Sequence, residues 1–135
     1  MVTWNNLNTL ASFQTLSETE RVDLVSAMTG ENGAERVKNY SIPMAAGLAY
    51  NYAAKQVDEK VLDALVKLAE EAQLGEKFAA LYNGEVINTG EKRLVLHHMT
   101  RGQLGEAVEA DGVDKRAFYV EQQESIAEFA NKVHN

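Results

Sequence analysis

The densest chemistry in the chain lies in NGEVINTGEKRLVLHH, residues 83 to 98, where Glu85, Asn88 and Glu91 precede a basic pair and the adjacent histidines His97 and His98. Carboxylates and imidazoles gathered in this way are the raw material of general acid-base catalysis and of metal binding. Neighbours on a helix point about 100° apart, so two adjacent histidines do not readily share one ion, unlike a pair one turn apart. On a helix, His97 falls one turn from both Arg93 and Arg101, a setting for a packed, hydrogen-bonded imidazole more than for a proton-transfer base. The spacing therefore assigns one histidine to packing or an interface and leaves the other exposed. Glu85, with Asn88 and Glu91, is placed to satisfy the orphan amides that open a helix over residues 91–101. Acid-base work by Glu85 would need a second polar cluster, and none converges on it in the sequence.

Other candidates are weaker. Glu70 and Glu71 sit amid the polar side of a helix, and Asp58, Glu59 and Lys60 suit a helix start and its dipole. TGENGAE, residues 29 to 35, superficially suits an anion, but it lacks phosphate-loop spacing and carries two acids. Tyr40, Tyr50 and Tyr52 form an aromatic group whose use is hairpin core and packing. No residue is thereby assigned as catalytic, cofactor-binding or metal-ligating, and no cofactor is called for.

The elements that position these residues belong to one compact domain over residues 1–135, enough chain to bury about two thirds of its unfolded surface. Twenty acidic against thirteen basic residues give a net charge of -7, which opposes nucleic acid and anionic membranes as partners. The absence of cysteine excludes disulfides, zinc-thiolate sites and thiol nucleophiles, and fits a reducing compartment. The N-terminus shows no basic and apolar leader pattern, and no apolar run approaches a membrane span, so the expectation is cytoplasmic.

The patterning predicts a mainly helical domain with one small β-hairpin. Ser17 and Glu20 form a capping box for a helix ending at Gly30, with Val22, Leu24, Val25 and Met28 inward. A short helical stretch follows over GENGAERVKN. Period-two spacing of Tyr40, Ile42, Leu48, Tyr50 and Tyr52 places the hairpin near residues 39–53 and its turn at 45–47. Asp58 caps the clearest helix, which Gly75 stops; a shorter helix runs on to Gly84. GQLGEAVEADGVDK reads as a loop, and a final helix spans about 114–134 with Ile126, Phe129, Ala130 and Val133 as its inner face.

From NYAAKQ at residue 51 to RGQ at residue 103, the chain resembles the N-terminal part of the glucose-6-phosphate isomerase (phosphoglucose isomerase) family. Tyr52 to Lys55, Leu68-Ala69, Leu74 to Lys77 and the run from Tyr82 through Arg101 match its motifs. Gly84, Glu85, Ile87, Asn88, Glu91, Arg93, Val95, Leu96, His97 and Arg101 fall in register. Thr89-Gly90 and Met99-Thr100 depart from the pattern.

The resemblance implies metal-free isomerisation between glucose 6-phosphate and fructose 6-phosphate, with a glutamate base moving a proton through an enediol. None of that family's catalytic residues maps onto this sequence. Family members are several times longer, and the chain stops before their phosphate loops. The resemblance thus implies a helical scaffold and interface segment of an α/β isomerase whose parallel-sheet domains are absent. That segment would be inactive alone, with the missing sugar-isomerase domains and a second subunit as partners. An apolar patch is expected on the hairpin or the final helix. A free-standing helical binding or adaptor module is the alternative, and a split enzyme with its catalytic half on another chain is a third possibility.

Overall fold

The computed structural model describes residues 2–102 and 105–134. Among them are six α-helices and three two-stranded antiparallel ladders, a mainly helical chain as the patterning predicts. Two compact units are present, one of residues 5–72 and one of residues 73–135 with the first four residues.

The first unit contains α1 (Ala11–Glu18), α2 (Leu24–Thr29), α3 (Gly33–Asn39), β1 (Ser41–Pro43), β2 (Ala49–Asn51) and α4 (Glu59–Glu71). Asp58 caps α4 as its sequence position predicts, its carboxylate accepting the Val61 amide at 2.9 Å. The helix α1 packs along α4, and Leu10, Val61 and Ala64 are buried. The N-cap of α1 is Leu10, which has no side-chain acceptor. Glu71, at the far end of α4, takes that role: its carboxylate accepts the amides of Ala11 at 3.2 Å and Ser12 at 2.8 Å, and the Ser12 hydroxyl. The hydrogen bond from the Ser12 hydroxyl, then that from its amide, hold the Glu71 carboxyl below its ordinary range. Glu71 is exposed, as its place on a solvated face predicts, and it also caps α1, a role the sequence did not assign to it.

The capping box expected at Ser17 does not form. Ser17 lies inside α1 and donates its hydroxyl to the Gln14 carbonyl at 2.7 Å, because helix begins earlier, at Ala11. Asp23 caps α2 instead, accepting from Val25 at 3.0 Å and Ser26 at 3.3 Å. The hairpin stands where period-two spacing predicts it, with Ile42 opposite Tyr50 and Pro43 opposite Ala49. Arg36 on α3 braces the chain leaving it: Nε donates to the Ala53 carbonyl at 2.8 Å, and Nη2 to those of Lys55 and Val57 at 3.0 and 2.8 Å.

The second unit contains α5 (Leu74–Tyr82), β3 (Val86–Asn88), β4 (Arg93–Leu94), a 3-10 turn at His97–Arg101, β5 (Glu109–Ala110), β6 (Val113–Asp114) and α6 (Lys115–His134). Gly75 does not stop the preceding helix; it lies within α5, and the break falls at Gln73, whose φ is +54°. The Gln73 side-chain oxygen accepts the Thr3 amide at 2.8 Å, which helps hold that left-handed conformation.

No α-helix covers residues 91–101. Asn88 closes a tight turn by accepting the Glu91 amide at 3.1 Å and donating to its carboxylate at 3.3 Å, so the chain folds back as the β3–β4 hairpin. The expected loop after Gly102 also holds structure: Asp111 and Gly112, both at positive φ, join β5 to β6. Gln103 and Leu104, part of that loop, lie outside the described residues. The final helix starts where predicted, with Asp114 accepting the Arg116 amide at 2.9 Å. Its stripe of Ile126, Phe129 and Val133, expected to face inward, is exposed.

Candidate functional site

Around the C-terminal end of α5 the second unit gathers its polar groups. Gly84 turns the chain at φ +68° into β3, and its α-carbon lies against Val108, which is buried. The Tyr82 ring packs against His98 with centroids 4.7 Å apart and the ring planes tilted by 37°. Tyr82, His97, His98, Arg101 and Gly102 line a cleft of about 260 Å³. His97 stands exposed on the 3-10 turn, while both ring nitrogens of His98 are buried and lack a hydrogen-bond partner among the described residues. One packed and one exposed histidine is what the spacing predicts, but with the roles exchanged: His97, expected to be the packed and hydrogen-bonded imidazole, is the exposed one, because no helix forms to set it one turn from Arg93.

Arg116, which the sequence did not single out, occupies the centre of this unit at 6% exposure. Its Nη2 donates to the Tyr82 carbonyl at 2.6 Å and its Nε to the Glu106 carbonyl. The guanidinium thus ties the end of α5 to the segment before β5 and satisfies a helix-terminal carbonyl. Helical periodicity hid it, because a residue in the first turn of a polar helix reads as solvated. Gln123 on α6 donates to the Thr100 carbonyl at 2.9 Å and holds the 3-10 turn against that helix.

The structure separates the residues the sequence brought near one another. Glu85 and Arg93 line a second, wider depression of about 970 Å³ with Lys92, Glu109, Asp111 and Lys115, whereas His97 and Arg101 line the first. Arg93 is in a strand, so it does not stand one helical turn from His97; its guanidinium lies 3.8 Å from the Glu91 carboxylate in an exposed pair. Among the described residues, no three His, Asp or Glu side chains are placed to hold a metal ion, and no helix is long and apolar enough to cross a membrane.

Residues 51–135 match the family model described as phosphoglucose isomerase. The chain is 45% identical to a glucose-6-phosphate isomerase of Treponema denticola, over 98% of this chain and 26% of that protein. It is 42% identical to one from Treponema pallidum, over 97% and 25%, and 40% identical to one from Borrelia garinii, over 100% and 25%. It spans about a quarter of the length of these curated relatives. The match of the family model over residues 51–135, with relatives 40–45% identical along nearly the whole chain, shows that the chain belongs to the phosphoglucose isomerase family.

Proposed function

We propose that this chain is the N-terminal scaffold and interface segment of a glucose-6-phosphate isomerase. The complete enzyme interconverts glucose 6-phosphate and fructose 6-phosphate in the cytoplasm, in glycolysis and gluconeogenesis, as a homodimer. Residues 1–135 form its helical N-terminal domain, and catalysis belongs to sugar-isomerase domains outside them. The observation that carries this reading is alignment of 98% of the chain with 26% of a relative of that name. Glu85 and His97 lining separate depressions supports a supporting role for the shared motif, since an acid-base pair must reach one substrate.

The test is an isomerase assay on two proteins. One is the purified chain; the other is the chain joined to the part of the Treponema denticola relative that it does not match. The expected result is no turnover by the chain and turnover by the joined protein. Turnover by the chain alone overturns the scaffold role.

A further inference from the structure

Within residues 5–72, one face of the β1–β2 hairpin is built from even-numbered side chains. The register sets Ile42 opposite Tyr50. Pairing continues past the strand ends, where the Met44 amide donates to the Leu48 carbonyl at 2.8 Å and the Tyr52 amide to the Tyr40 carbonyl at 2.9 Å. Residues two apart on a strand share a face, and so do directly opposed residues. Tyr40, Ile42, Met44, Leu48, Tyr50 and Tyr52 therefore form one apolar strip. Its root is anchored, with the Arg36 guanidinium 4.2 Å from the Tyr40 ring centroid and the Tyr52 ring 5.1 Å beyond. Its outer part is open: Ile42 is 52% exposed, Tyr50 48%, Met44 55% and Leu48 64%. Residues 39–54 hold no charged side chain, in a chain that is 24% charged.

Area and charge narrow what covers this strip. The four outer side chains expose roughly 400 Å², about half the ~800 Å² that each partner contributes to a stable complex of free molecules. A net charge of -7 sets two copies of the chain against each other. A face too small for a diffusing partner suffices when covalent linkage raises the local concentration to about millimolar. The chain spans 26% of its Treponema denticola relative, leaving most of such a polypeptide available as a tethered partner. We infer that the strip docks onto an uncharged apolar surface of the remaining part of the isomerase polypeptide, with Arg36 setting its root. This rests on the function proposed above.

The test compares the isolated chain with the joined full-length protein described above. Leu48→Glu with Tyr50→Glu puts two carboxylates on the strip, and Ala49→Glu puts one on the opposite, exposed face of the same strand. In the isolated chain both variants are expected to keep the parent's melting temperature and helical circular dichroism. In the full-length protein the double variant is expected to lose at least about tenfold in isomerase activity and to melt earlier, a docking contact of ordinary strength being worth that factor; Ala49→Glu is expected to change neither. A full-length double variant that matches its parent overturns the docking face and leaves the proposed function standing. Equal loss from Ala49→Glu overturns it too, as does a double variant that already melts early in the isolated chain. A joined protein inactive before any substitution overturns the proposed function itself. Reversible dimerisation of the isolated chain, abolished by the double variant, overturns the tethered occupant in favour of a second copy.

Discussion

Replacing Gly84 by alanine tests how tightly the turn after α5 is built. At φ +68° a residue with a Cβ costs about 1 kcal/mol or more relative to glycine. The added Cβ would stand 2.2 Å from Val108 Cγ1 and 2.9 Å from Cγ2, well inside contact distance, and Val108 is 4% exposed with little room to retreat. Overpacking of this kind costs ~1–3 kcal/mol, so Gly84→Ala should destabilise the protein by ~2–4 kcal/mol in sum. A domain of this size has a total stability of about 5–15 kcal/mol, so the loss should be plain in urea unfolding followed by circular dichroism at 25 °C. Val108→Ala alone should cost ~1–2 kcal/mol through two lost buried methyl groups. Combined with Gly84→Ala it removes the two methyl clashes and leaves the backbone cost and a tight contact with the Cβ at position 108, 3.1 Å away. The double variant should then be ~1–3 kcal/mol more stable than the sum of the single changes. A Gly84→Ala loss below about 0.5 kcal/mol, or additivity of the two changes, refutes the close packing of the turn against Val108.

Two further outcomes follow from the polar contacts. Arg116→Met removes the donors held by the Tyr82 and Glu106 carbonyls, and the cost of orphaning them outweighs the relief of a buried charge; a loss of ~2 kcal/mol is expected in the same urea assay. Glu71 has its carboxyl held below the ordinary range by the Ser12 hydroxyl and amide, so its folded value lies below its unfolded one. The stability it contributes is fully present above the unfolded value near 4.5 and is lost as pH falls through the folded value. Melting curves from neutral pH down to about pH 3 should accordingly show a steeper fall for the parent than for Glu71→Gln.

Much of the scaffold was legible because its signals are local. Asp58 caps α4 through its own next turn, and the alternation from Tyr40 to Tyr52 encodes a hairpin whose partners are at most a dozen residues apart. What misled was chemistry that competes locally or acts over distance. Asn88 can cap a helix or close a turn, and only the return of Leu94 to Val86 decides for the turn. Glu71 caps α1 from about sixty residues away, so periodicity within α4 could not reveal it. At the candidate site, the sequence foresaw one packed and one exposed histidine but exchanged them, since it set His97 on a helix that does not form. It missed Arg116, since a guanidinium that binds main-chain carbonyls leaves no mark on its partners' side-chain types.

Arg36 binds in the same manner, and this has a consequence for how the segment after the hairpin can drift. It recognises the main-chain oxygens at positions 53, 55 and 57, not the side groups borne there. Mutational scanning should find positions 55 and 57 permissive to exchange, while position 53, almost shut from solvent, admits only small residues. Position 36 should reject even lysine, whose single ammonium cannot span three acceptors.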